Sequence, residues 1–189
     1  MNVERDPLTF HKDRCYKIVR WAQKEVKVGR TTDAVSTWAS SAMYQESGLM
    51  MEYRHDRPTV AKFGGLLVFE TLTAAAVYSH KMGMTAGTYF ESGYGLFQCD
   101  CWDRVQLPDL RLMNPHCGSC NSLYQLSVVW EKKSGKAILE ALDGADLVYW
   151  PGGSVAYRFV QLRGDMIPWS DIQHALRSIP DSYNANYED

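Results

Sequence analysis

Four of the chain's five cysteines fall in one stretch, Cys99-Asp100-Cys101 followed by His116-Cys117-Gly118-Ser119-Cys120. Thiols clustered in this way serve as metal ligands when they stay reduced, and as a disulfide scaffold when they do not. Zinc takes about four sulfur or nitrogen donors at roughly 2.0 to 2.3 Å, usually as two close pairs joined by a loop. Cys117 and Cys120 form one such pair. Residues two apart in a strand share a face, so Cys99 and Cys101 converge while Asp100 points away. A direct Cys99–Cys101 bond fits less well, because an extended strand holds the two Cα atoms at or beyond the usual limit of about 6.8 Å. Cys99, Cys101, Cys117 and Cys120 are therefore candidate ligands of one structural zinc, with His116 or Cys15 able to replace a thiolate. Free buried thiols are the main alternative, and disulfide or redox chemistry the third. A site closed by four protein ligands stabilises folding rather than activating water.

Candidate acid–base groups lie elsewhere. Glu70 directly follows the apolar run Leu66-Leu67-Val68-Phe69, and a carboxylate at the end of a buried strand is well placed for a raised pKa. Its plainer role is to support the first turn of the next helix. Arg20 ends the apolar part of the first strand and can supply positive charge. His55, within Tyr53-Arg54-His55-Asp56-Arg57, can act as acid or base if a carboxylate tunes it, or it is simply part of a polar turn. Six Trp, eleven Tyr and six Phe supply rings with one apolar face and one polar edge, a combination suited to ligand pockets as well as to a core. Tyr149, Trp150 and Trp169 lie beside proline-containing turns, and Tyr16 lies on the first strand. These four are the candidate ligand-binding rings.

The elements that position these residues read as short strands with few helices. Cys15 to Trp21 predicts a first strand, and Val35 to Tyr44 with Leu49 to Tyr53 predicts a hairpin about Glu46-Ser47-Gly48. Gly64-Gly65 before Leu66 to Phe69 predicts a central strand buried on both faces. Thr71 is a fitting N-cap for a helix from Leu72 to Met82, stopped by Gly83. Thr88 to Glu91, Tyr94 to Cys101, Leu123 to Trp130 and Ser154 to Leu162 read as further strands, and Lys136 to Leu142 is ambiguous. Ser170 caps a short C-terminal helix running to Ser178. The expected fold is α+β, a largely antiparallel sheet with the Leu72 helix and the C-terminal one, because the connections are too short for repeated helical crossovers. One domain over residues 1–189 is expected, with frayed ends at about 1–13 and 181–189.

Composition narrows the function classes. The 189 residues carry 20 Lys plus Arg against 22 Asp plus Glu, so the basic excess that phosphate contacts demand is missing and nucleic acid is not expected as a partner. No apolar run long enough to span a membrane occurs, so no membrane partner is expected. The polar first residues carry no signal-peptide pattern, and the expected location is intracellular, in the cytoplasm. No P-loop, Rossmann, nucleophile-elbow, kinase or zincin signature is present, and no organic cofactor is expected.

The order of Tyr16-Lys17-Ile18-Val19-Arg20, then Ser40-Ser41-Ala42, then Leu66 to Leu72 leading into Ala75, then Pro151-Gly152-Gly153-Ser154-Val155 with Val160 and Leu162, resembles a family of small fungal and viral proteins with no assigned activity. That resemblance implies a single fold unit and no catalytic residue. A second likeness is to ADP-ribosyltransferase-like domains, which implies roles at a nicotinamide pocket for Arg20, Ser40 and Ser41, though no glutamate stands out for the third role. The sequence is read as a small enzyme acting on a modest organic ligand in an aromatic-lined pocket by acid–base chemistry, such as cyclisation, isomerisation or transfer. The rival is a zinc-stabilised protein-binding or regulatory module.

Overall fold

Alternation along one long strand, β1 (Asp13–Val28), organises the molecule. In the computed structural model the described residues are 12–28, 31–40, 51–62, 64–81, 93–112 and 121–179. The N-terminal half of β1 pairs antiparallel with β6 (Tyr94–Val105), from Asp13 opposite Cys101 to Arg20 opposite Tyr94. Its C-terminal half pairs with β2 (Thr31–Ser40), which in turn holds β3 (Glu52–Tyr53). β4 (Thr59–Val60) and β5 (Leu66–Phe69) both pair with β9 (Ser154–Arg163), and β5 also meets β1 at Tyr16 opposite Phe69. Because β9 pairs with β6 as well, the ring β1-β5-β9-β6 closes into a small antiparallel barrel.

The two faces of these strands bury different things. Odd positions on β1 and β6 point inward, so Cys15, Val19, Phe97, Cys99 and Cys101 join Val68, Tyr157 and Leu162 in the barrel interior. Even positions point outward and are roofed by two helices. Ile18, Phe69 and Leu96 pack against Ala75 and Ala76 of α1 (Leu72–Lys81) and Ile172 and Ala175 of the C-terminal helix α4 (Trp169–Arg177). β5 lies between β1 and β9 with Val68 fully buried, the central strand that the apolar run predicts. The α1 start also follows the sequence, since the backbone N–H of Ala74 donates to Thr71 Oγ1 at 3.1 Å.

A lobe follows β6. β7 (Leu110–Leu112) pairs with β8 (Leu147–Tyr149), and α2 (Asn121–Lys132) and α3 (Gly135–Ala141) pack on them through Leu110, Leu112, Val128, Val129 and Ile138. Here the structure corrects the strand expected over Leu123 to Trp130. That stretch is helical, because Val128 and Val129 on one helical face fill the gap over β7 and α3, and tertiary burial outweighs β-propensity. The ambiguous segment from Lys136 is also helical, so four helices are described where two were expected. Gly64 ties the lobe to the barrel. It sits at φ +58°, and a Cβ there would collide with the Trp130 indole.

Two smaller differences follow from local geometry. Pro168 rather than Ser170 occupies the N-cap of α4, consistent with proline's fixed φ just ahead of a helix. The first strand runs on to Val28, well past Trp21, because β2 takes over as its partner where β6 ends. The expected strand at Thr88 to Glu91, the turn at Glu46-Ser47-Gly48, the Gly83 stop, Ser41, and all of the Cys117–Cys120 pair lie outside the described residues. Of the two expected frayed ends, residues 1–11 and 180–189 do as well, while Asp13 already belongs to β1.

Candidate functional site

Inward alternation on β1 puts Asp13, Cys15 and Lys17 on the barrel's inner face, against Cys101, Cys99 and Phe97 of β6 in register. Polar groups there form a column. At its outer end Glu70, the residue after β5, accepts a 2.8 Å bond from an Arg104 guanidinium nitrogen. Arg104 stands opposite Tyr157 on β9, and the Tyr157 hydroxyl donates to Asp13 Oδ2 at 2.7 Å. Burial, together with the bond to Asp13, pushes the Tyr157 phenol above its ordinary range.

Below this lie three buried thiols. Cys99 Sγ and Cys101 Sγ are 3.6 Å apart, and Cys15 is the cross-strand partner of Cys99. The neighbouring Cys101 thiol holds Cys15 below its ordinary value against the opposing effect of burial, while Cys101 itself is pushed up by Cys15, Cys99 and burial. Lys17 closes the column. Its Nζ donates to the Leu67 carbonyl at 2.6 Å and sits 5.0 Å from the Tyr53 ring centre. Burial lowers its pKa from 10.5 to about 8, opposed by the nearby Cys99 and Cys101 sulfurs. Burial likewise pushes Tyr53 upward.

The residues singled out from sequence are distributed over this frame. Glu70 stands at the outer end of the column, paired with Arg104 rather than with Arg20. Arg20 lies four residues beyond Tyr16, the β1 residue level with Phe69, which is about 13 Å along a strand. The structure therefore does not bring Arg20 and Glu70 together as a pair. His55 is exposed beyond β3. Its carbonyl accepts from Gln161 Nε2 at 2.6 Å, and its ring meets Phe97 edge-on at 5.4 Å.

The four rings also divide. Tyr16 on β1 and Trp169, the first residue of α4, both pack against the outer layer between the sheet and the two helices. Trp150 belongs to the lobe, donating from Nε1 to the Pro108 carbonyl at 2.7 Å and lying 6.3 Å from the Trp130 ring centre. Tyr149 is 79% exposed on β8. Cys99 and Cys101 share a face as their spacing predicts, and Asp100 points outward to Arg163, its Oδ2 taking a 2.8 Å bond from Nε. Among the described residues no group of three or more His, Cys, Asp or Glu side chains is arranged to hold a metal.

Sequence reasoning left Asp13, Lys17, Arg104 and Tyr157 out of the site. The Asp13-x-Cys15-x-Lys17 alternation was the available signal, but Tyr16 and Ile18 make the opposite face equally apolar, so parity alone does not say which face is interior. Arg104 and Tyr157 are joined only by pairing across more than fifty residues of chain, which no local pattern encodes. No protein-family model, curated protein or solved structure matches the chain.

Proposed function

We propose that the protein is a small acid–base enzyme that acts on a modest organic ligand at the barrel end formed by Glu70, Arg104, Asp13 and Tyr157. The observation that carries this reading is the convergence of two carboxylates, a guanidinium and a phenol of perturbed pKa at one end of a rigid closed sheet. In this reading Arg104 orients an anionic or carbonyl group of the ligand, Glu70 exchanges a proton with it, and Tyr157, kept a neutral phenol by burial and its bond to Asp13, lines the site without donating its proton. Isomerisation and cyclisation need no more than this.

The experiment is a thermal-shift screen of small carboxylic acids and carbonyl compounds against the wild type, Glu70→Gln and Arg104→Gln. The Glu70–Arg104 pair is half-exposed, and such pairs contribute about 0–1 kcal/mol, so both variants should melt within a few degrees of the wild type. A hit that shifts the wild type and fails to shift either variant supports the reading. Equal shifts in all three proteins refute it.

The second reading, a zinc-stabilised protein-binding module, is favoured by the lobe, where Tyr124, Leu139 and Tyr149 are 64%, 55% and 79% exposed. It requires close to one zinc per purified chain, lost in Cys117→Ser. Elemental analysis of reduced protein without zinc refutes it.

A further inference from the structure

Inward positions alternate along most of β6 and β9, and the exception falls beside the proposed site. On β6 the barrel interior takes Phe97, Cys99 and Cys101, and on β9 it takes Val155 and Tyr157, then Val160 and Leu162. A pleated strand repeats every two residues, so the longer step from Tyr157 to Val160 means that β9 shifts its inward face by one residue there. β6 makes the same shift. Cys101 is opposite Val160 and Arg104 is opposite Tyr157. Cross-strand partners share a face, which brings Arg104 into line with the interior column above Cys101. Had the alternation run on, Asp103 would point inward and Arg104 would lie on the outer face with Asp100.

The backbone at Asp103 produces the shift. Pairing of β6 with β9 runs from Gln98 opposite Arg163 to Trp102 opposite Phe159 and resumes at Arg104 opposite Tyr157, leaving out Asp103 and Arg158. Asp103 has φ +56°, in the left-handed region. Lys133, the other such non-glycine residue among the described residues, lies between α2 and α3, where a chain leaving a helix commonly takes that conformation. Asp103 takes it inside a strand. There it works as a β-bulge does, turning the strand and re-aiming the side chains that follow. Asp103 and Arg158 are both exposed, and Asp103 Oδ2 lies 3.4 Å from Arg158 Nε. The Ala61 N–H, just past β4, donates to the Arg158 carbonyl at 2.8 Å and anchors the β9 side of the break.

We propose that Asp103 is a positioning residue for the acid–base site, resting on the reading of Glu70 and Arg104 as that site: its left-handed backbone turns β6 so that the Arg104 guanidinium meets Glu70 beside Tyr157 instead of lying on the barrel's outer face. The conformation does the positioning, since the Asp103 carboxylate faces solvent and Arg158. Glycine and asparagine enter the left-handed region readily and keep the turn. Valine, branched at Cβ, is driven out of it and restores the plain pleat.

The test uses the full chain without ligand, isotopically labelled at the glutamate side-chain carboxyl carbon. The Glu70 resonance is assigned by its loss in Glu70→Gln, and Arg104→Gln gives its position without the guanidinium. Asp103→Val should move the resonance to the Arg104→Gln position, and Asp103→Gly and Asp103→Asn should leave it where the wild type has it. A merely structural role for Asp103 would lower the melting temperature with the resonance unmoved. Should Asp103→Val fail to fold, Asp103→Ala, which enters the left-handed region less readily than aspartate, takes its place. A folded Asp103→Val or Asp103→Ala with the wild-type resonance overturns the proposal, as does a displaced resonance in Asp103→Gly or Asp103→Asn. The acid–base reading fails separately: carboxylic acids and carbonyl compounds that shift the melting temperatures of wild type and Arg104→Gln equally refute it, whatever the Glu70 resonance does. A compound that passes that screen should lose its shift in Asp103→Val and keep it in Asp103→Gly.

Discussion

Replacing Lys17 by Met tests whether the buried amine strains the barrel. The drop in its pKa from 10.5 to about 8 corresponds to about 3 kcal/mol of unfavourable burial of the charged form, at about 1.4 kcal/mol per pH unit. The sign follows from proton counts. Between about 8 and 10.5 the unfolded chain holds the Lys17 proton and the folded chain does not, so stability rises with pH through that window and the penalty is complete below it. Methionine fills a similar volume and removes the penalty, but it also removes the bond to the Leu67 carbonyl, a charged hydrogen bond of about 1.5–3 kcal/mol. The difference leaves Lys17→Met between about neutral and 1.5 kcal/mol more stable at pH 7. Urea unfolding of both proteins at several values between pH 7 and 10 makes the check. The raised Cys101 thiol and Tyr157 phenol add the same slope to both proteins, so Lys17 is read from the difference: the gap between the variant and the wild type should shrink as pH rises and the two curves converge. Above about pH 10 both should weaken, because buried Tyr53 resists ionisation that the unfolded chain undergoes freely. A gap between the two proteins that stays constant from pH 7 to 10, with Lys17→Met destabilised by more than about 2 kcal/mol at pH 7, would refute the reasoning.

Val68→Asp places an unpaired carboxylate in the barrel interior, where Val68 is fully buried, and should abolish soluble expression; soluble variant protein with an unchanged melting temperature contradicts the placement of β5. Thr71→Ala removes the cap on Ala74 N–H and should lower stability by about 1 kcal/mol, read from the urea midpoint. Gly64→Ala meets both a positive φ and the Trp130 indole. It should cost at least about 1–3 kcal/mol and alter tryptophan fluorescence, and an unperturbed spectrum with wild-type stability would contradict the contact between lobe and barrel.

What the sequence discloses about this fold is what local chemistry decides. Two glycines ahead of four apolar residues can hardly be other than a buried strand, and Leu66–Phe69 is β5 to the residue. Thr71 caps α1 because the side chain needs only a neighbour three residues away. The misread segment, Leu123 to Trp130, fails for the complementary reason. Leucine, tyrosine, valine and tryptophan suit strand and buried helix alike, and the decision rests with β7 and α3, which the segment does not contain.

The candidate site divides along the same line. Glu70 was legible because it ends a run, whereas its partner Arg104 lies 34 residues away and is delivered only when β6 aligns with β9. Closure adds a constraint that no single strand carries. Once β1, β5, β9 and β6 form a ring, every inward residue shares one small interior, so Lys17 and three cysteines that look like scattered residues in the chain must accommodate one another there. An inward lysine in so small a barrel has a purely structural substitute in methionine or leucine. The lysine persists there because the Leu67 carbonyl and the Tyr53 ring face its ammonium inside the barrel, partners that lie 50 and 36 residues away in the chain and that only closure delivers.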